Sequence, residues 1–208
     1  MYISYKKKII QDLNFQNLLT VSKIFSDIEH FACYGTLLGL TRNKKIIYGD
    51  DDVDLLINYK FKKKALRKMN MHKNFKLNKK VCTKYFAQFI NKKNEFLTYI
   101  DFYFYIDKSN QDFIIEKHNF LSNPGDPNFS IHFPKKIIFP IKRERSFKSI
   151  CIPNKPKNLC KFLYGDDWKK PLKKNISYRM EIVNNKPLLI KRSFLGSITR
   201  WFKNKLSI

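Results

Sequence analysis

The sequence is poor in acidic residues. Its 208 residues include 17 Asp and Glu against 42 Lys and Arg, which gives a formal net charge of +25 at pH 7. This imbalance disfavours cationic partners and favours anionic ones, such as nucleotides, phosphorylated glycans, anionic lipids or nucleic acid. Lysine is spread along the whole chain, so a compositional bias that serves only solubility explains the charge equally well.

The sequence also has few cysteines and no long apolar run. Its four cysteines, at positions 33, 82, 151 and 160, show neither CxxC spacing nor a histidine at a zinc-finger interval, so a structural zinc site is not expected. We expect buried thiols of a reducing compartment. No signal peptide is visible, and no stretch reaches the ~18 apolar residues of a membrane span. These absences predict a cytoplasmic protein, with peripheral contact at the inner face of the membrane as a further expectation.

The pattern of apolar residues predicts one α/β or α+β domain, in which a mixed sheet is flanked by helices. The chain is 43% hydrophobic, enough for a real core. The predicted helices cover residues 11–30, 37–41, 60–72 and 159–164. The predicted strands cover residues 31–34, 53–57, 81–90 and 96–106, and a loop is predicted at residues 123–128.

Four of the scarce acids stand together. Asp50, Asp51, Asp52 and Asp54 lead into the apolar strand Val53–Ile57. Because side chains alternate along a strand, Asp50, Asp52 and Asp54 are predicted to share one face and Asp51 to point the other way. Carboxylates on one face can coordinate a hard cation such as Mg²⁺ or Mn²⁺, which in turn binds phosphate. The alternative is a solvated acidic turn.

Asp101 is the candidate for a third ligand. It is the only acid within the aromatic stretch Tyr99–Tyr105, where an unused carboxylate would be costly to bury. A buried acid paired with a lysine is the alternative.

Two features ahead of the acids indicate phosphate binding. Gly35 and Thr36 form a small-residue segment whose backbone N–H groups can approach a phosphate closely, although an ordinary tight turn has the same composition. Arg42 lies between this segment and the acids, where its guanidinium can hold phosphate bidentately or serve in a surface ion pair.

Together these residues resemble the LicD/fukutin family of the polymerase-β-like nucleotidyltransferase superfamily. The segment Gly35-Thr-Leu-Leu-Gly39, Arg42 and the run Asp50-x-Asp52-Val-Asp54 are similar to the family's first motif, although Tyr48-Gly49 stands where the family usually has Pro-Trp. Asp101 matches a later strand motif. Ile152-Pro153 and the segment Leu163–Trp168, followed by Pro171, match the C-terminal signature, so the resemblance covers roughly residues 15–172.

The resemblance implies a nucleotidyltransferase-like fold and a Mg²⁺- or Mn²⁺-dependent enzyme. Family members transfer a phospho-alcohol group, such as phosphocholine, phosphoethanolamine or a polyol phosphate, from a CDP-linked donor to a glycan. On this reading Asp52 and Asp54 bind metal, Asp101 is a third ligand or a base, and Asp50 assists. Gly35 and Thr36 hold donor phosphates. Contacts to donor or acceptor are expected from Tyr164, Asp166 and Trp168, for which a helix cap and aromatic packing are the alternatives.

The C-terminal segment has a character of its own. We expect a catalytic domain over residues 1–180 and a basic, helical extension over residues 181–208. In residues 191–206 the apolar side chains fall on one helical face and the cations largely avoid it. Such a helix can lie on an anionic membrane, near a lipid-linked glycan acceptor, or can pack on the domain.

Two other functions fit parts of the sequence. The same fold can transfer a nucleotide to a small molecule or a protein. A non-catalytic module that binds nucleic acid would explain the net charge but leave the acids unexplained, and its binding would fall steeply with salt and survive EDTA. Nucleic acid is therefore the less expected partner.

Overall fold

The computed structural model describes residues 2–93, 97–117, 130–144, 146–147, 149–171 and 178–191. Its helices are α1 (Tyr2–Ile24), α2 (Tyr34–Asn43), α3 (Lys62–Met71), α4 (Lys135–Ile138) and α5 (Pro156–Tyr164). Its strands are β1 (His30–Ala32), β2 (Asp52–Asn58), β3 (Phe75–Leu77), β4 (Phe86–Asn91), β5 (Tyr99–Asp107), β6 (Phe113–Glu116), β7 (Ile131–Pro134), β8 (Lys142–Arg143), β9 (Cys151–Ile152), β10 (Tyr178–Val183) and β11 (Lys186–Lys191).

Seven strands form one mixed sheet with the order β1-β2-β5-β4-β3. β2 and β5 run parallel at its centre, and the neighbouring pairs are antiparallel. β6 pairs with the end of β5, and β7 pairs with β6. β8 pairs with β9 and β10 with β11 in two small separate sheets. The predicted mixed sheet flanked by helices is confirmed.

Helices cover both faces of the central strands. On one face, the ring of Phe102 in β5 lies 5.3 Å from the ring of Phe25, just beyond α1. On the other, the ring of Tyr103 lies 4.9 Å from that of Tyr34 in α2. Neighbouring residues of β5 therefore pack against different helices, as alternation requires. Burial on both faces explains why β2 and β5 read as nearly continuous apolar runs.

Helix α1 begins earlier and ends earlier than predicted. The Lys-rich segment before residue 11 is helical, because lysine has good helix propensity even without an apolar stripe. The helix stops at Ile24, ahead of Ser26 and Asp27, two residue types that favour helix ends and turns over helix interiors.

The segment Gly35-Thr36 lies inside a helix rather than in a turn before one. The chain reverses one residue earlier, at Tyr34, which has a positive φ of 45°. Cys33 is the N-cap, so Gly35 and Thr36 belong to the first turn of α2. The helical segment predicted over 37–41 is correspondingly the middle of a longer helix.

One predicted strand boundary was wrong, and strand β6 was not predicted. The strand predicted from residue 81 begins only at Phe86, because Lys79–Val81 form a 3-10 turn. β6 pairs with both β5 and β7. The predicted loop at residues 123–128 lies outside the described residues.

The expected helical extension is wrong for residues 181–191. They belong to the β10–β11 hairpin, whose two-residue turn consists of Asn184 and Asn185 with φ of 51° and 60°. Asparagine tolerates this left-handed conformation, which a tight hairpin turn requires. The expected domain boundary after residue 180 falls within β10. The amphipathic helix predicted over 191–206 lies outside the described residues, apart from Lys191.

The structure also bears on cysteines and membranes. All four cysteines are free thiols, but only Cys33 and Cys160 are buried as expected, whereas Cys82 and Cys151 are partly exposed. None of the helices in the described part combines the length and the apolar character needed to cross a bilayer.

Gly39 gives the first testable prediction. A Cβ on this helical residue would collide with the backbone oxygen of Lys45 and lie 2.9 Å from the backbone nitrogen of Ile47. Backbone atoms can be displaced only at a large cost in free energy. Gly39→Ala is therefore expected to destabilise the protein by about 2–3 kcal/mol. Urea denaturation measures this effect as a lower midpoint. An unchanged midpoint would contradict the close packing of residues 45–47 on α2.

Candidate functional site

Two carboxylates lie side by side at the centre of the sheet. β2 and β5 are parallel, and Asp54 is the direct neighbour of Asp101 in their register. Asp101 is two residues before Tyr103 and therefore points to the same face, towards α2. Asp54 and Asp101 are only 5% and 3% exposed. Two carboxylates this close and this buried repel each other unless a cation or a proton offsets their charge.

Asp52 completes a group of three. It lies two residues before Asp54 on the same face of β2, and carboxylate oxygens of Asp52, Asp54 and Asp101 all lie within 4.8 Å of one another. The structure thus brings together the three acids that the sequence analysis selected as metal ligands.

Asp50 and Asp51 form a second, shallower group with Asp52. Oxygens of these three side chains also lie within 4.8 Å of one another, although Asp51 is exposed. The expectation that Asp51 points away was wrong, because β2 begins only at Asp52 and strand alternation does not apply before it. Asp50 reaches the site from the preceding loop, where its backbone oxygen accepts a hydrogen bond of 2.9 Å from Asn14 Nδ2.

The first turn of α2 holds Asp54 in place. Thr36 Oγ1 accepts a 2.8 Å hydrogen bond from the Asp54 N–H, and the Thr36 N–H donates to Asp54 Oδ2 at 3.4 Å. The positive end of the helix dipole also favours a carboxylate here. A Cβ on Gly35 would lie 2.7 Å from Asp50 Oδ2 and 3.4 Å from Asp54 Oδ2. The contacts of Gly35 and Thr36 are thus to the acids, and their role in phosphate binding stays a prediction.

Two supporting residues escaped the sequence analysis. Gln88 of β4 donates from Nε2 to Asp101 Oδ1 at 2.9 Å, and its own Oε1 accepts from Asn78 Nδ2 at 2.7 Å. Tyr103 donates from its hydroxyl to Asp54 Oδ1 at 3.4 Å. Gln88 does stand out as a polar residue in an apolar strand, but only the β4–β5 register puts it beside Asp101.

The environment keeps the Tyr103 hydroxyl protonated. Burial raises its pKa well above the ordinary value, and the negative charges of Asp54 and Asp101 raise it further. Tyr103 therefore remains a hydrogen-bond donor to Asp54 at any physiological pH.

The structure does not bring Arg42 to the acids. It occupies the last turn of α2, seven residues from Gly35, which corresponds to about 10 Å along the helix. Its Nε donates to Asn43 Oδ1 at 3.1 Å. Its charge acts instead on Cys160 of α5, whose pKa is raised to about 11 by burial despite opposing effects from Thr41 and Arg42.

The C-terminal signature lies at the end of α5 and just beyond it. Trp168 is 8% exposed and belongs to the hydrophobic core, which is the packing role that the sequence left as an alternative. Asp166 is strongly exposed and pairs with Lys161. Tyr164 packs partly buried against the core. Substrate contacts by these residues stay a prediction.

The set of donor atoms fits a hard divalent cation. All the candidate ligands in both groups are carboxylates, and oxygen donors suit Mg²⁺ and Mn²⁺. Cys33 is close enough to feel the charge of Asp54, but burial raises its pKa well above the ordinary value, so it remains a neutral thiol. A softer, thiolate-binding metal finds no ligand in Cys33.

One protein family matches this chain. The family model described as LicD/FKTN/FKRP, nucleotidyltransferase domain, matches residues 27–155, which is more than half of the sequence. The matched range contains α2, both acidic groups and Gln88, and it leaves out α1. Among curated proteins, none matches the chain.

Gly35→Ala is expected to weaken metal binding without lowering the stability of the fold. The atom nearest to the new Cβ is the end of the flexible Asp50 side chain, which can move at little cost to stability. We expect the stability in urea to be unchanged or slightly higher. Calorimetry should show about tenfold weaker Mn²⁺ binding, because the new Cβ displaces the Asp50 side chain that lies beside the other acids. Gly39→Ala, in the same helix, is the matched variant, because its new Cβ would collide with backbone atoms rather than with a side chain. Equal loss of stability in both variants would contradict this distinction.

Gln88→Met removes the donor to Asp101 while keeping the length of the side chain. We expect about a tenfold loss of Mn²⁺ affinity, since hydrogen bonds to a ligand orient it and favour its charged form. Gln16→Met, at an exposed position of α1, serves as the matched control and should bind Mn²⁺ like the wild type. Unchanged binding by Gln88→Met would show that Asp101 is not a ligand that Gln88 supports.

Proposed function

The chain belongs to the LicD/FKTN/FKRP family, and from that premise we propose that it transfers a phospho-alcohol group from a CDP-linked donor to a glycan, with Mg²⁺ or Mn²⁺ as cofactor. Family membership indicates a phosphotransferase-type function on glycans; the donor, the cofactor and the acceptor are our proposal. The observation that carries it is the group of three acids in β2 and β5, two of them almost fully buried.

Asp52, Asp54 and Asp101 would hold the metal. A bound divalent ion supplies positive charge to the phosphates of the donor and keeps coordination places for their oxygens. Asp50 and Asp51, which form the shallower group with Asp52, support a second ion or the surroundings of the first.

The protein's own residues prepare these acids. Thr36 and Tyr103 donate to the two oxygens of Asp54, and Gln88 donates to Asp101. Hydrogen bonds of this kind favour the ionised carboxylate, which both a metal ligand and a general base need. Since phosphoryl transfer depends mostly on positioning and charge neutralisation, a rigid set of ionised acids supplies much of the catalysis.

The proposed reaction balances simply. The oxygen of an acceptor hydroxyl bonds to the phosphorus that carries the alcohol, the P–O bond to the nucleotide breaks, and CMP leaves. We propose Asp101 as the group that takes the hydroxyl proton, in addition to its role as a ligand. A lipid-linked acceptor and membrane contact through residues 191–206 remain part of the proposal that only the sequence supports.

The proposal predicts CMP as the released nucleotide. The protein is incubated with a panel of CDP-alcohols and Mn²⁺ or Mg²⁺, with and without crude glycan, and CMP is quantified by chromatography. We expect metal-dependent CMP release that falls at least about 100-fold in Asp52→Asn and Asp54→Asn, since each loses a charged ligand. Asp27→Asn, which removes an exposed acid paired with Lys64, should retain activity.

Other outcomes point elsewhere. Release of pyrophosphate from a nucleoside triphosphate, with no CMP from any CDP-alcohol, would replace the proposal with nucleotide transfer to a small molecule or a protein. Nucleic-acid binding that survives EDTA and both asparagine variants, again with no CMP release, would indicate the non-catalytic module.

A further inference from the structure

A lysine of α1 lies against the loop that leads into the acids. The side chain of Lys7 covers Gly49, the residue before Asp50: a Cβ on Gly49 would lie 3.1, 3.2 and 3.5 Å from its Cδ, Cγ and Cε atoms. Gly49 has a φ of 79°, so the position requires glycine for its backbone as well. The aliphatic stem of Lys7 is therefore held in place, while the residue as a whole stays exposed. Its ammonium group can reach solvent at the rim of the site.

The placement of Lys7 follows from a row of contacts along α1. Lys7, Gln11 and Asn14 stand at i, i+4 and i+7 and so share one face of the helix. Gln11 Nε2 donates to the backbone oxygen of Ile46 at 2.5 Å, and Asn14 Nδ2 donates to that of Asp50 at 2.9 Å. The row fixes α1 to residues 46–50 and places Lys7 against Gly49 of the same loop.

Lys7 lies close to the segment that carries the acids. Its Cε atom lies 3.5 Å from the position of a Cβ on Gly49. Since consecutive Cα atoms are about 3.8 Å apart, the Lys7 ammonium and the Asp50 carboxylate are separated by at most about 14 Å. A diphosphate that extends outwards from a metal on the acids would approach this lysine.

Arg42, which the sequence predicts as a phosphate-binding cation, lies in the last turn of α2, at the other end of the helix from Thr36 and its contact with Asp54. The Thr36 N–H at the start of α2 already donates to Asp54. A nucleoside diphosphate carries more negative charge than one divalent ion neutralises, and lysine is a common point-charge partner of phosphate.

We propose that Lys7 binds the diphosphate of the nucleotide-linked donor and is a determinant of donor affinity. This inference rests on the proposed function. It assigns a binding role to a residue of α1, a helix that lies outside the family match at residues 27–155.

The test measures binding of two probes, CDP and inorganic pyrophosphate, each with Mn²⁺, by calorimetry on the full chain. Lys7→Met keeps the stem on Gly49 and removes the charge. We expect it to weaken both probes about five- to tenfold at low salt, since a charge-assisted hydrogen bond at an exposed site is partly screened. Lys7→Arg should stay within about twofold of the wild type. Lys23→Met, about 24 Å further along α1, should bind like the wild type.

The readouts separate the inference from the proposed function. If the wild type binds both probes and Lys7→Met binds them equally well, Lys7 is not a donor-binding residue, while the function stands. If Lys7→Met raises the affinity for Mn²⁺ without a probe and leaves the affinities for both probes unchanged, Lys7 only repels the metal ion, and the inference is wrong. If pyrophosphate binding depends on Lys7 but CDP does not bind, the inference holds and the donor is not cytidine-linked. If the wild type binds neither probe, both ideas are wrong.

Discussion

The repulsion between Asp54 and Asp101 is the constraint around which this fold is arranged. Parallel pairing of β2 with β5 sets the two carboxylates side by side, and the helices on the sheet shield them from water. In such a place two negative charges are tolerable only with fixed donors around them and a cation or a proton that offsets their charge. Thr36, Tyr103 and Gln88 supply donors from three different elements. The geometry of the site is therefore a property of the whole sheet and its helices.

The distribution of charge over the chain follows from the same constraint. Five of the 17 acidic residues lie in the two acidic groups, although the protein carries 42 Lys and Arg. A positive surface draws anions towards the molecule and raises their local concentration. The acids would then repel these anions if no metal were bound. Under the proposed function, affinity for a phosphate ligand would thus depend on metal occupancy far more than the net charge indicates.

The sequence predicted the candidate ligands better than their surroundings. Asp52 and Asp54 stood out because four acids stand together ahead of an apolar strand, and Asp101 because an unused acid in an aromatic strand is costly to bury. The support by Gln88 depends on the register between β4 and β5, which no local pattern encodes. Arg42 was expected near the acids because it is close to them in the sequence. It lies instead in the last turn of α2, at the other end of the helix from Gly35. Asn184 and Asn185 were misread for a different reason: the basic, amphipathic character of the following residues hid a two-residue hairpin turn.

The contacts of Gln11 and Asn14 connect an N-terminal helix to the segment that carries the acids. Whatever binds at the acids and orders residues 46–52 also favours the docked position of α1, and a docked α1 favours binding by the same free energy. A ligand that orders these residues would thus be thermodynamically linked to the helix. In that case we expect amide hydrogens at the start of α1 to exchange more slowly in the liganded protein than in the free one.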